Sequence, residues 1–457
     1  MSNTHWRKAI TGDFAKSGKW DDGRPGIKDD AFITATGPDY TVKVIGADAA
    51  HTLTLNSVDA TLLEKGQGSL HAGALDIEAG TAILTTANTI GHITMTGGEL
   101  EFSNSAALGG ADITISRKAV LAATGDAVLS NAIEGAFAQA SFAAKDGVTL
   151  KLDGSLTFGD TADSNALNFI GTGTNGKGDG TGVIDLDGTL GAMGRHYVEI
   201  EGVTLGTSIA NNSGFETMLS SSQKVIFDSN SVLDLTGQND ITLHLPMGTG
   251  EILNSGEHEN LTSDQSAFGG LIQGDFDITM NGGGGIGGTM ALKAGDVITV
   301  NNAAELPVHF VGDAPAINLV HTPARTFSDE LSFLGATFSG AGPAVDLGTG
   351  QDTDLTIDHN FVGTIANFGG HNGGTDTITL GDAAGEGTPT IQYNPSEAGT
   401  GGELIVQYGT NPAYTLELIG SYTQADFKVN PQDPQQIECS AEQSAPHVPV
   451  HLVDALI

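Results

Sequence analysis

Arg195 and His196, followed by Glu199 and Glu201, form the densest knot of chemically useful side chains in this chain. A lyase acting on uronate sugars needs a base at the C5 proton and a cation against the carboxylate, and this run supplies both. Arg325 near His321 is a second pairing of the same kind. Basic residues are scarce, however, with only 18 Lys and Arg in 457 residues. For either pair, an exposed turn or a satisfied strand end outweighs a catalytic role. If the protein is an enzyme, Arg195, His196 and Glu199 are its catalytic candidates.

Glycoside hydrolysis needs two carboxylates facing each other across a cleft. Asp185 and Asp187, or Glu99 and Glu101, instead stand two apart and point the same way along a strand. A chain with 55 Asp and Glu produces such pairs by chance. The 13 histidines are dispersed without H-E-x-x-H spacing, so no dedicated zinc site is expected. His447 and His451 stand four apart, but Pro446 and Pro449 prevent the helix that would join them. The run Gly282-Gly283-Gly284-Gly285-Ile286-Gly287-Gly288 lacks a following helix and the Lys of a phosphate-binding loop. Cys439, the single cysteine, has no basic neighbour and reads as a bystander in a polar tail.

The elements that must position these groups repeat. Thr52-Leu53-Thr54-Leu55, Ala74-Leu75-Asp76-Ile77, His92-Ile93-Thr94-Met95 and Asp112-Ile113-Thr114-Ile115 start 22, 18 and 20 residues apart. A short strand returning about every 20 residues with Gly-rich turns between copies predicts a chain that winds, each coil stacked on the last. Alternation places Leu53, Leu55, Leu75, Ile77, Ile93, Met95, Ile113 and Ile115 on one face and Thr52, Thr54, Asp76, Thr94 and Thr114 on the other. Second strands follow at Ala82-Ile83-Leu84 and Glu99-Leu100-Glu101-Phe102, after corners at Gly80 and Gly97-Gly98. Such a fold offers a long flank and few deep pockets.

The 65 Gly, about twice the usual share of roughly 7%, are spread throughout, so turns are frequent everywhere. The formal net charge of −37 repels phosphate backbones and anionic lipids, which argues against nucleic-acid and peripheral membrane partners. Carboxylates in this number suit hard cations, so structural calcium stays open beside the reading that acidity serves solubility. One cysteine excludes an intramolecular disulfide and leans towards a prokaryotic source. The N-terminus, with Arg7 and Lys8, has no apolar run of about 7–15 residues behind it, so no N-terminal signal peptide is expected. No long apolar run predicts a membrane span.

Along the chain, residues 1–40 hold Trp6 and Trp20 and read as a cap over the first coil, built on Phe14, Trp20, Phe32 and Ile33. Residues 41–360 read as the solenoid. Its rungs are clear to about residue 122 and resume at Thr149-Leu150-Lys151-Leu152, Val183-Ile184-Asp185-Leu186 and Lys224-Val225-Ile226-Phe227. Between them, residues 123–147 fit neither period, and a short helix and an irregular rung are equally consistent with Ala136–Ala144. The period weakens after residue 245. Residues 361–429 read as a C-terminal β module. Residues 430–457, rich in Pro, Gln and Ser, read as a flexible tail that ends on an apolar group and could carry a secretion signal.

Both ends resemble a known family. Trp20, Gly23, Pro25, Asp29, Asp30, Ala31 and Ile33 resemble the W-x-x-G-x-P-x-x-x-D-D-A-x-I opening of large secreted β-solenoid repeat proteins of alphaproteobacteria, followed as there by a T-V-x-V strand, Thr41-Val42-Lys43-Val44. Gly401, Gly402, Leu404, Val406, Gly409, Leu416, Leu418, Gly420, Tyr422, Phe427 and Val429 resemble the G-G-x-L-x-V module near their C-termini. Phe361–Phe368 and Asp376–Leu380 resemble the F-x-G-x-I-x-x-F and D-x-I-x-L elements that precede it. The resemblance implies export by type I secretion through the C-terminal tail, residence outside the cell or on its surface, and adhesive or matrix roles. The G-G-x-G-x-D calcium nonapeptide of better known relatives is not matched. Gly373-Gly374-Thr375-Asp376-Thr377-Ile378 comes nearest and lacks the third glycine.

The sequence therefore predicts an all-β, parallel β-solenoid, a right-handed β-helix of about 20 residues per rung, with an N-terminal cap and a C-terminal β module. The expected function is that of a secreted or cell-surface structural or adhesive protein of a Gram-negative bacterium, non-catalytic and without a cofactor, with extracellular or surface glycans or proteins and an export machinery as partners. A β-helix polysaccharide lyase or glycoside hydrolase is the alternative. A phage-type fibre is a third reading.

Overall fold

A computed structural model describes residues 2–116, 118–135, 140–158, 165–173, 176–191, 196–281, 285–293, 295–301, 304–319, 329–348, 353–369, 375–383 and 385–441. The chain is 55% strand and 5% helix, with parallel sheets stacked as a β-solenoid of about 15 turns and about 21 residues per turn. It divides into two compact units, Met1–Leu235 and Thr236–Ile457.

In the first unit the strands stack in the register that the repeat offsets predict. Ala47–Glu64 lies parallel to Ser69–Leu84, which lies parallel to Thr89–Met95, and that strand to Asp112–Ile115. Leu53 faces Leu75, Leu75 faces Ile93, and Ile93 faces Ile113. The column continues down to Ala31 and up through Ile133 to Leu156, every member at most 1% exposed. Each fully buried Leu or Ile contributes roughly 1.5–3 kcal/mol, so the column is a main source of stability. A second column, Leu62, Ala82, Leu100, Leu121, Phe142, Phe169, Ile200 and Phe227, runs beside it.

Glycine closes the corners where coils touch. Gly80 and Gly98 adopt φ of 86° and 68°. A Cβ at Gly98 would stand 2.5 Å from the Gly80 carbonyl oxygen of the preceding coil, so conformation and space both require glycine there. Polar side chains tie coils together as well. Asn88, 9% exposed, accepts from Leu70 N at 2.6 Å and donates to the Ala107 carbonyl at 2.8 Å.

Parallel pairing begins at Asn3–His5, which pairs with Asp30–Ile33. Trp6, Phe14 and Trp20 pack edge-to-face beside it at 5.0–5.1 Å and are at most 2% exposed. Ile33 is buried, whereas Phe32 faces outward and stacks on His5 at 4.8 Å. The alanine-rich stretch, described from residue 140, is a strand. Ala140–Lys145 lies between Val120–Ala123 and Asn165–Thr172. Ala140 to Ala144 are all buried, and a strand covered on both faces loses the alternation by which strands are read. The sequence gives no sign of a helix at Ser213–Ser221. Asn212 caps it by accepting from Gly214 N and Phe215 N, and Phe215, Met218 and Leu219 turn inward.

In the second unit one aliphatic column passes through Ile241, Leu261, Ile278, Ile298, Ile317, Val345, Ile365 and Leu418, none more than 3% exposed. Its sequence steps of 20, 17, 20, 19, 28, 20 and 53 show why the period fades: inserted loops lengthen coils without disturbing the column. Parallel stacking then stops. Thr390–Pro395, Gly401–Gln407 and Tyr414–Ile419 form an antiparallel meander, and Phe427–Val429 pairs antiparallel with Gln436–Cys439. Gln436–Cys439 also pairs antiparallel with Thr377–Leu380. The segment expected to be a flexible tail from residue 430 is thus folded as far as residue 441. Ile437 and Cys439 are 0% exposed, because this strand covers the apolar edge of the last rung. The remaining tail, with His447 and His451, lies outside the described residues.

Candidate functional site

The catalytic candidates occupy the strand His196–Glu201 and the residue before it. Arg195 lies outside the described residues, as do His321 and Arg325. His196 is 6% exposed, and its Nε2 stands 3.1 Å from the Met218 carbonyl oxygen of the helix Ser213–Ser221. Its ring is engaged by the fold and turned away from solvent. Glu199 lies half-buried on the outer face, its carboxyl raised by burial and by the neighbouring Glu201.

Neither carboxylate pair faces its partner across a cleft. Glu99 and Glu101 both point outward from Glu99–Phe102, and burial followed by the charge of Glu101 raises Glu99. Asp187 is buried and acts as a cross-coil anchor. It ion-pairs with Lys151, accepts from Ser208 Oγ, and accepts from Thr207 Oγ1 at 2.8 Å and Ser208 N at 2.7 Å. Burial opposes its ionisation, but the Lys151, Ser208 and Thr207 bonds prevail and hold it at about 2. Asp376, the acid of the nearest approach to a calcium nonapeptide, accepts backbone N–H groups from Thr353 at 3.1 Å and Gly369 at 3.0 Å. Its carboxylate is committed to shaping the chain. His359, Asp382 and Tyr414 likewise lock the C-terminal meander, with His359 Nδ1 2.7 Å from Asp382 Oδ2, Nε2 3.2 Å from the Pro412 carbonyl, and the Tyr414 hydroxyl on Asp382 Oδ1.

The densest group of ligand-bearing side chains is one that motif spacing does not reveal. His258, Asp275 and Asp296 present ligand atoms within 4.8 Å of one another, the single such trio of His, Cys, Asp or Glu among the described residues. They come from successive strands and a turn: Glu251–Asp264, Leu271–Asn281, and the turn before Val297–Asn301. A bulge brings them together. Asn254 pairs with Gly274 and Glu259 with Phe276, so residues 255–258 all stand opposite Asp275. Bulges re-aim side chains, and this one swings His258 over the next coil. Asn254, 1% exposed, holds the bulge by donating to the carbonyls of Glu257 at 2.7 Å and Asp275 at 2.8 Å.

His258 Nδ1 stands 2.6 Å from Asp275 Oδ1 and 3.9 Å from Asp296 Oδ1, while its Nε2 stands 3.2 Å from Asp277 Oδ2. Lys293 Nζ contacts Asp275 Oδ2 at 3.0 Å. Asp296 is the buried member: Oδ2 accepts from Lys293 N at 2.8 Å and Phe276 N at 3.1 Å. Burial pushes its carboxyl up to about 6 despite those bonds. The Asp275 bond raises His258 above its usual value, against the opposing effect of burial.

A cavity in the second unit among Leu243, Ile252, Phe268, Ile272 and Ile286 is about 10 Å³, no larger than one water requires. No helix among the described residues is long and apolar enough to cross a membrane. Compared with family models, curated proteins and solved structures, the chain matches none.

Proposed function

We propose that this chain is a non-catalytic structural or adhesive β-solenoid of the bacterial surface or extracellular medium, making weak multivalent contacts through its flank. One observation carries the reading. Thr54, Asp76, Thr94, Thr114 and Glu134 stand in register on successive coils, forming an outward ladder of hydroxyls and carboxylates. Neighbouring strands lie about 4.8 Å apart, so the ladder offers hydrogen-bonding groups at that regular interval along the flank. Each contact is weak alone, and repetition supplies avidity. The enzyme alternative draws no support from His196, whose ring is bonded inside the fold, or from the acid pairs: Glu99 and Glu101 lie along one strand, and Asp187 is taken up by Lys151, Thr207 and Ser208.

Export through the C-terminal tail belongs to the same proposal. The truncation that tests it removes residues 442–457 and keeps the strand Gln436–Cys439. Full-length protein expressed in an alphaproteobacterial host should be found in culture supernatant and on intact cells, and the truncated form should stay inside. Recovery of both forms solely from the cytoplasm would refute the proposal. So would turnover of a uronate polymer or glycoside by purified protein.

A further inference from the structure

We propose that His258, Asp275 and Asp296 form a binding site for one divalent transition metal of the zinc class, stapling three successive coils of the second unit. The donors are His258 Nδ1, Asp275 Oδ1 and Asp296 Oδ1. A tetrahedral zinc with bonds of about 2.0–2.2 Å sets its ligand atoms roughly 3.3 Å apart. The two distances from His258 Nδ1, 2.6 Å to Asp275 Oδ1 and 3.9 Å to Asp296 Oδ1, bracket that value. The third separation, Asp275 to Asp296, is at most 4.8 Å, so side-chain adjustment would close the trio on a metal, with the fourth position left for water.

Three features besides proximity point to a cation. The Asp296 side chain is 3% exposed, and its Oδ1 accepts no hydrogen bond, while Oδ2 is held by two backbone N–H groups. That oxygen faces the His258 imidazole 3.9 Å away, and a cation held between Asp296 and Asp275 would offset the repulsion between their two carboxylates. The second feature is the support behind the histidine. Asp277 Oδ2 lies 3.2 Å from His258 Nε2, and Asp277 Oδ1 is itself fixed by Val297 N at 2.8 Å. A carboxylate behind Nε2 is the arrangement that orients metal-ligating histidines, and a metal at Nδ1 would displace the proton that Nδ1 shares with Asp275. The third is charge. Three carboxylates, Asp275, Asp277 and Asp296, stand against one Lys293 ammonium, and a divalent ion that displaces the Nδ1 proton would balance the excess negative charge.

The donor set decides the class of metal. One imidazole nitrogen and two carboxylate oxygens suit zinc or cobalt, whereas calcium takes roughly 6–8 oxygens, which this site does not offer. Its role is mechanical. The bulge at residues 255–258 is the point where pairing between Glu251–Asp264 and Leu271–Asn281 is interrupted, and the metal bridges that gap.

The test uses the full chain, stripped with chelator and titrated with zinc chloride by calorimetry at neutral pH. The expected result is saturable binding of one zinc per chain, at least tenfold weaker in His258→Gln and in Asp277→Asn, the supporting carboxylate. His258 is about half exposed, so His258→Gln should fold normally, verified by an unchanged circular dichroism spectrum. Bound cobalt should give the intense visible absorption of a four-coordinate site, lost in the same variants. Calcium chloride in hundredfold excess should not displace zinc. Failure to saturate, binding that survives His258→Gln undiminished, or displacement by calcium would each overturn the assignment.

Discussion

Replacing Phe142 with alanine removes a ring that is 0% exposed, pressed between Leu121 of one coil and Phe169 of the next, with the two aromatic rings stacked at 6.1 Å. A buried phenyl side chain removes about 150 Å² or more from water, worth about 4 kcal/mol at ~25 cal/mol per Å². Neither neighbour can slide along the column to fill the gap, because each is pinned by its own strand pairing. The expected loss is therefore about 3–5 kcal/mol. In a stack of coils each unit contacts only its neighbours, so the damage stays local. Hydrogen exchange read by mass spectrometry should show lost protection in Val120–Ala123, Ala140–Lys145 and Asn165–Thr172, with Asn3–His5 and Tyr40–Val44 unchanged. Urea unfolding of single and double variants with Phe169→Ala should give a coupling of about 0.5–1.5 kcal/mol for the aromatic pair. A loss below about 1 kcal/mol, or protection lost evenly along the first unit, would refute the reasoning.

Two further perturbations test the coil contacts. A Cβ at Gly68 would stand 2.1 Å from the Val44 carbonyl oxygen, whereas one at Gly46 meets nothing within 4 Å. Gly68→Ala should cost about 1–3 kcal/mol and Gly46→Ala less than about 0.5 kcal/mol, compared by urea midpoints. Asp187 has a folded value of about 2, below its ordinary 3.8. Its contribution is complete above about pH 5 and is lost as the pH falls through 3.8 towards 2. The melting temperature of the parent protein should therefore fall more steeply across that window than that of Asp187→Asn. Parallel curves would remove Asp187 from the account.

Leu53, Leu75, Ile93 and Ile113 announce their register because parallel coils with little insertion must bring an aliphatic residue back to the same slot each turn. That regularity makes the fold class legible in the first unit and also explains where it becomes illegible. Ala140–Ala144 is covered on both faces, so no alternation marks it. Gln436–Cys439 sits among prolines and glutamines and gains its structure from Thr377–Leu380, some sixty residues earlier, a partnership that local composition does not encode. His258, Asp275 and Asp296 escape a search for metal motifs because helix or hairpin spacing is the wrong ruler. The three are 17 and 21 residues apart, each close to one turn of the solenoid, and that spacing is the signal in the sequence. Even with it, the sequence hides the bulge that lifts His258 over the next coil.

The burial of Cys439 gives the last strand a chemical clock. It is the single thiol in 457 residues. Burial pushes it up to about 12, so in the closed state it is neither accessible nor ionised. A thiol-specific reagent can consume it only during the intervals when Gln436–Cys439 leaves its two neighbours. In excess reagent, and at a pH where the freed thiol reacts faster than the strand reseats, the labelling rate equals the opening rate of the strand. Any ligand that favours the closed end slows the reaction in proportion, without a single engineered reporter.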